Sequence, residues 1–283
     1  MRGFTLIELI VVMVITVIMS VSLVVFFRPA IDSYFQSQTR DDLMQTADLA
    51  IMHMSKDVRS AVPNSVRSPS SQCFELVPSF GGGRYRTGPD TVNDATCSGA
   101  GCSAWVDTST TTTSFDVLQH SGNPAAIGAW VVINNQNTND VYEGANRSQI
   151  TAVNVPPSSL GVRRYTINGL QISPGYDGGR YQLVYNGEQS VFYSCVGADG
   201  TMDANGNGKG TLRRAVNAFS AAVPSSCPTT GTTVVRNVLS CNFIYNPNQG
   251  ATQQSGFVWM QIEVARAGET ATLSMGAHVS NVP

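Results

Sequence analysis

The sequence predicts an α+β protein in which a long N-terminal α-helix packs on an antiparallel β-sheet domain. Residues 4–27 are predominantly apolar with one charge, Glu8, and an apolar stripe continues at helical spacing as far as Val58. After Pro63 the composition changes to Gly, Ser, Thr, Asn and Val, which is typical of strands joined by loops. The chain therefore divides into a helical part and a larger β-rich part.

Residues 4–27 are long enough to cross a membrane. A helix of this length covers about 36 Å, against a hydrocarbon core of about 30 Å. Arg2 precedes the segment and Arg28 follows it, so the basic residues give little indication of orientation. A cleavable secretory signal is the alternative, but residues 23–27 extend the apolar core where a cleavage site would be needed. The segment is thus predicted to be transmembrane.

Glu8 is the one charge inside this apolar segment. A carboxylate at the bilayer centre costs roughly 2.5–3.5 kcal/mol on insertion scales. Thr5 and Glu8 fit the capping box, in which the two side chains satisfy backbone donors at a helix start. The cap gives Glu8 a structural role, and a carboxylate there can also pair with a cation on another chain.

Residues 3–12, GFTLIELIVV, resemble the class III signal of type IV pilins and type II secretion pseudopilins. The resemblance implies that a prepilin peptidase cleaves between Gly3 and Phe4 and methylates the new amine of Phe4. Because such an amine is largely cationic at neutral pH, the Phe4 amine of one subunit is expected to neutralise Glu8 of its neighbour. Glu8 is therefore predicted to be an assembly residue.

The resemblance and the composition together divide the chain into four parts. A leader peptide is expected at residues 1–3, the transmembrane half of the helix at 4–28, its amphipathic half at 29–61 and a β-rich periplasmic or extracellular domain at 62–283. Pro29 predicts a kink, and Pro63 predicts that the helix ends before it. The apolar stripe expected to pack on the sheet is Ile31, Phe35, Leu43, Ala47, Ile51, Met54 and Val58.

The clearest strand is predicted at residues 258–264, where apolar and polar side chains alternate. Long helical patterns are missing between the candidate strands, which favours an antiparallel sheet over a βαβ array. The tract DTSTTTTS at 107–114 and the glycine-rich segment 197–210 are predicted to be loops. Other strands are predicted at 129–133, 149–155, 182–185, 191–195, 242–245 and 270–275.

Six cysteines lie outside the helix, and an even number in an exported chain favours disulfides over free thiols. Cys97 and Cys102 are close enough to close a small loop, while fifteen connectivities stay open for the whole set. A zinc site is the alternative, although no C-x-x-C pair or nearby histidine supports it. The disulfide candidates are Cys73, Cys97, Cys102, Cys195, Cys227 and Cys241.

Residues 203–208, DANGNG, are the one segment with a metal-binding pattern. They fit D-x-[DN]-x-[DN]-G, in which Asp203, Asn205 and Asn207 would offer oxygen ligands to calcium. Arg214 stands where such loops carry a glutamate, so a plain Asn-Gly turn is the alternative. No other cofactor is predicted.

Catalysis is not predicted for this chain. His53, His120 and His278 are isolated, and the common hydrolase, zinc-protease and nucleotide-binding motifs do not occur. Nucleic-acid binding is not expected either, because the formal net charge is -2 and no stripe of Lys and Arg occurs.

Short segments elsewhere resemble one group of type IV pilins. Residues 61–67, 193–195, 240–243 and 278–283 are similar to minor pilins of the MSHA pilus. Minor pilins of the PilW group and the J pseudopilins of type II secretion share the helix and the general fold.

The resemblance implies a minor pilin that crosses the bacterial inner membrane once, with its C-terminal domain in the periplasm, before joining a pilus on the cell surface. Its partners would be prepilin peptidase, the inner-membrane platform protein, the major pilin and other minor pilins. A pilus-tip adhesin is also open, with residues 81–85 and the 107–114 loop as ligand-binding candidates.

Overall fold

A computed structural model describes residues 5–172, 178–248 and 255–280. In these ranges the chain forms a 54-residue helix, α1 (Leu6–Arg59), a short helix, α2 (Asp140–Glu143), and thirteen β-strands. All the strand pairs are antiparallel. The predicted α+β class, a long helix on an antiparallel β domain, is confirmed.

An open sheet is built from seven of the described strands, which lie side by side in the order 1-2-9-10-11-12-13. Its three longest strands, which are the last three in the chain, form an antiparallel meander at one end of the sheet. The sheet strands are β1 (Arg67–Ser70), β2 (Cys73–Leu76), β9 (Ser190–Val196), β10 (Gly210–Asn217), β11 (Thr232–Asn246), β12 (Ser255–Arg266) and β13 (Glu269–Ser280).

The other six described strands close into a barrel in the order 3-4-7-6-5-8. The barrel has its own aromatic core, in which Phe115 packs against Tyr85, Tyr165 and Tyr181. In chain order it lies between β2 and β9, so it is an insertion into the sheet domain. Its strands are β3 (Gly81–Tyr85), β4 (Thr112–Gly122), β5 (Trp130–Ile133), β6 (Arg147–Asn154), β7 (Arg163–Leu170) and β8 (Arg180–Val184).

Only the C-terminal part of α1 packs on the sheet, where it contacts β13 and β12. The first buried residue of α1 is Leu43, and Ile51 and Met54 are completely buried. The prediction that Ile31 and Phe35 also pack on the sheet is wrong, since they are 52% and 59% exposed. The reason is that α1 extends past the sheet, so an apolar stripe at helical spacing continues where no strand lies beneath it.

Polar contacts fix the end of α1 on the sheet. Asp57 Oδ2 accepts a hydrogen bond from the Tyr193 hydroxyl at 2.7 Å and lies 3.3 Å from Arg214 Nε. These partners belong to β9 and β10. The helix ends at Arg59, before Pro63, and it is continuous through Pro29, where the kink stays a prediction.

The described strands overlap all seven predicted strands, but two expected loops differ. Thr112 opens β4 by pairing with Leu170, so the prediction of a loop is wrong for the last three residues of the 107–114 tract. β-branched threonine suits a strand, which explains the difference. Residues 81–85, considered as a binding loop, form strand β3.

Three disulfides join the six cysteines. Cys73–Cys227 ties β2 to the loop before β11, Cys195–Cys241 joins β9 to β11, and Cys97–Cys102 closes a short loop in the barrel insertion. Asp94 lies beside Cys97 and Cys102, but these sulfurs are bonded to each other and offer no thiolate to a metal.

Candidate assembly site on the N-terminal helix

The start of α1 is a capping box formed by Thr5 and Glu8. The Glu8 N–H donates to Thr5 Oγ1 at 3.4 Å, and the Thr5 N–H donates to Glu8 Oε2 at 3.5 Å. The Thr5 hydroxyl lies 3.4 Å from the same Oε2. Within the described chain, Glu8 therefore uses one carboxylate oxygen for its own helix, and Oε1 makes no hydrogen bond.

The surface that follows Glu8 is uncovered, and as far as Phe27 it is predominantly apolar. Every side chain in residues 5–38 is exposed. The hydroxyls of Thr16, Ser20 and Ser22 in this stretch donate to backbone carbonyls one turn earlier. Such bonding satisfies these groups without water, as a lipid environment requires.

By length and composition α1 can span a membrane. A large apolar surface in contact with water is unfavourable, and on a protein it marks a site for lipid or for other protein surfaces. Glu8 is thus a single carboxylate at the start of a helix whose uncovered side chains suit lipid or neighbouring helices. The predicted cleavage site between Gly3 and Phe4 lies outside the described residues.

The Asp203 loop is held by its own hydrogen bonds. Asp203 Oδ1 accepts the N–H groups of Asn205 at 2.8 Å and Asn207 at 2.9 Å, and Asn207 Oδ1 accepts the Ala267 N–H at 3.2 Å. The hydrogen bond from the Asn207 N–H is the main reason that the pKa of Asp203 lies below its usual value. Calcium binding there stays a prediction, which titration calorimetry with and without Asp203→Ala would test.

The three histidines lie on different elements. His120 in β4 contacts the Tyr181 hydroxyl through Nδ1 and the Asn123 carbonyl through Nε2, both at 2.9 Å. His278 in β13 packs against the Phe257 ring, and His53 is exposed on α1. The structure therefore gives each histidine separate surroundings.

Two groups of residues were missed by the sequence analysis. Arg67, Glu75 and Tyr142 form a buried cluster, and Arg84 and Arg180 stand side by side on the barrel. Their partners are distant in the chain, so only the strand register brings them together. The one available signal was Arg84 itself, which lies within the 81–85 segment that was considered for binding.

Comparison with known proteins places the N-terminus in a class. Residues 1–24 match the prokaryotic N-terminal methylation motif. This motif indicates a precursor of the type IV pilin or pseudopilin kind, in agreement with the exposed apolar helix and its β domain. No curated protein and no solved structure matches the chain, so the comparisons do not support the MSHA group in particular.

Proposed function

We propose that this protein is a minor pilin, a non-enzymatic subunit for assembly or initiation of a type IV pilus, most like the MSHA pilus biogenesis protein MshO. The observation that carries the proposal is the position of Glu8, a lone carboxylate at the start of an exposed apolar helix and within the matched methylation motif of residues 1–24. Prepilin peptidase cleaves the precursor between Gly3 and Phe4 and methylates the Phe4 amine.

Assembly then depends on pairing between subunits. Glu8 Oε2 is engaged by Thr5 of its own chain, whereas Oε1 is open to the Phe4 amine of a neighbour. Attraction between opposite charges is strong in a medium of low dielectric constant. The pairing therefore compensates for placing a carboxylate in lipid, and it sets the axial offset between adjacent helices.

The exposed part of α1 provides the surface for packing in the filament. Leu6 to Asp42 precede the first buried residue and span about 55 Å at 1.5 Å per residue. Before assembly this part anchors the protein in the bacterial inner membrane by a single pass, with the β domain in the periplasm. The inner-membrane platform protein, the major pilin and other minor pilins are the partners for its transfer into the pilus on the cell surface.

Variants of Glu8 test the proposal in the native host. Glu8→Val removes both the charge and the cap, whereas Glu8→Gln keeps hydrogen-bonding groups that can serve the cap. We expect both variants to be processed and to stay in the membrane, but to be missing from sheared pili on immunoblots. Incorporation of Glu8→Gln at the wild-type level would show that the cap and not the charge is required.

A pilus-tip adhesin is the second candidate function, because the barrel is a separate β structure with its own core. A deletion strain separates the two functions. Loss of piliation supports the assembly role, whereas normal pili that no longer attach to a surface support adhesion. A type II secretion pseudopilin is the remaining alternative, for which loss of protein secretion from the deletion strain would be decisive.

A further inference from the structure

A groove of about 490 Å³ lies between the C-terminal end of α1 and the outer face of the barrel. Ser60 and Ser79 line one side, and strands β3, β4 and β8 line the other. This groove is distinct from the exposed apolar part of α1, and the proposed assembly role does not use it.

The floor of the groove is bare main chain because strand β3 begins with three glycines. A Cβ on Gly82 would lie 2.5 Å from the Tyr181 carbonyl oxygen, and one on Gly83 would collide with the Gln119 carbonyl oxygen. The close approach of β8 and β4 therefore explains the glycines. A consequence is that Gly82, which shares the outer face with Arg84, adds no side chain to the groove.

Two arginines, Arg84 and Arg180, line this groove. The strand register places Arg84 directly opposite Arg180 on β8 and opposite Gln119 on β4, so the three side chains form a row on the outer face. Both arginines are exposed, and neither forms an ion pair with a described residue. Like charges directly opposite across a strand pair are destabilising, so the register holds two cations at one place that an anionic ligand would stabilise.

The next row of the sheet adds neutral polar groups. Gly82 pairs with Gln182 on β8 and with Ser121 on β4, so an amide and a hydroxyl flank the bare glycine. Phe80 lines the same groove, and its ring stacks on Tyr185 with centroids 3.8 Å apart. The groove thus combines cations, hydrogen-bonding groups and an aromatic ring.

We propose that this groove binds an acidic saccharide. The planar guanidinium groups of Arg84 and Arg180 suit a carboxylate or sulfate group, which they can hold by paired hydrogen bonds. Gln182 and Ser121 are placed to bond to sugar hydroxyls, and Phe80 offers an apolar surface to the ring. Two cations in a short groove do not form the long basic stripe that nucleic acid requires.

Binding measurements on the full-length protein in neutral-detergent micelles test this proposal. The probes are oligogalacturonate for a carboxylated sugar, heparin oligosaccharide for a sulfated sugar, neutral dextran of the same length and a short DNA duplex. We expect one or both acidic saccharides to bind. Arg84→Gln and Arg180→Gln should each reduce the affinity about tenfold, because each removes hydrogen bonds to a charged group. Arg236→Gln, which changes an exposed arginine outside the groove, is the matched control.

A second variant tests the groove without altering charge. Ser121→Tyr places an aromatic ring over Gly82 on the exposed face, an arrangement that strands tolerate well. Because the ring fills the groove, this variant should not bind the acidic saccharides. The proposal is overturned if neither acidic saccharide binds, if dextran or DNA binds as tightly as they do, or if Arg236→Gln weakens binding as much as Arg84→Gln.

Discussion

The Arg67 guanidinium of the sheet lies over the Tyr142 ring of the barrel insertion, 3.2 Å from its centre. Both side chains are buried, and the Tyr142 hydroxyl donates to the Ser65 carbonyl at 2.7 Å. Arg67 Nε also lies 3.0 Å from Glu75 Oε2, as an ion pair outside hydrogen-bond geometry. Tyr142 also belongs to a buried cluster in which Val62 and Val77, beside the first sheet strands, meet valines of the barrel insertion. The contacts of Tyr142 therefore join the sheet to the barrel.

Arg67→Ala should be strongly destabilising. It leaves Glu75 buried without its cation, and burial already raises the pKa of this carboxyl group. Breaking a buried pair from one side costs about 3–5 kcal/mol. We expect a loss of that size in the free energy of unfolding, measured by urea titration of the full-length protein in micelles.

The double change Arg67→Met with Glu75→Gln, which removes both charges, should recover part of the loss. A cost below about 1 kcal/mol for Arg67→Ala would contradict the role given to the cluster.

Docking of α1 on the sheet should depend on its buried face only. Ile51 is completely buried against the sheet core, whereas Leu49 on the same helix is 63% exposed. Ile51→Ala is expected to cost about 2–5 kcal/mol, because it removes buried methyl groups and leaves a cavity. Leu49→Ala is the matched control and should change the free energy of unfolding by less than about 0.5 kcal/mol. If Ile51→Ala and Leu49→Ala lowered the free energy of unfolding equally in urea titrations, the helix would not pack on the sheet through the face that contains Ile51.

The disulfides should differ in their contribution to stability. Cys73–Cys227 joins residues separated by 154 positions, and Cys97–Cys102 joins residues separated by 5. From loop-closure entropy, the long loop contributes about 5 kcal/mol and the short loop about 2 kcal/mol. Serine replacement of Cys73 and Cys227 should therefore lower the unfolding midpoint in urea more than replacement of Cys97 and Cys102. The reverse order would contradict this pairing or its entropic origin.

Asp203 should titrate at lower pH in the folded protein than in the unfolded chain. Its pKa lies below the usual 3.8 because the Asn207 N–H, above all, bonds to the ionised form. The stabilisation is thus fully present above the pKa of the unfolded chain and is lost as pH falls through the lower folded value. Carbon-13 NMR of the Asp203 carboxyl group should show this lowered midpoint, with the protein in urea as control. A midpoint equal to that of the unfolded chain would mean that the turn is not formed.

Much of the fold could be predicted from the local sequence. The start of α1 follows from Thr5 and Glu8, and the strand β12 follows from the alternation at 258–264. These features depend on residues a few positions apart, and spacing alone reveals them. The failure at Ile31 and Phe35 has a physical reason, because an apolar stripe does not tell whether a sheet, lipid or a neighbouring helix covers it.

Long-range pairing could not be predicted. Closure of the barrel depends on β3 pairing with β8, which brings Arg84 opposite Arg180 across about a hundred residues of chain. The contact between Arg67 and Tyr142 has the same origin. The capping pair Thr5 and Glu8 was predicted because its signal is local, whereas the groove residues were missed because the strand register brings them together.

The central claim is that the chain is processed into a subunit whose free Phe4 amine pairs with Glu8 of a neighbour. Mass spectrometry of the N-terminal peptide from pili of the native host tests this most directly. We predict a peptide that begins at N-methylated Phe4 and ends at Arg40 after trypsin digestion, because trypsin does not cleave the bond between Arg28 and Pro29. Mature protein that still begins at Met1, or at any residue after Phe4, would contradict the account.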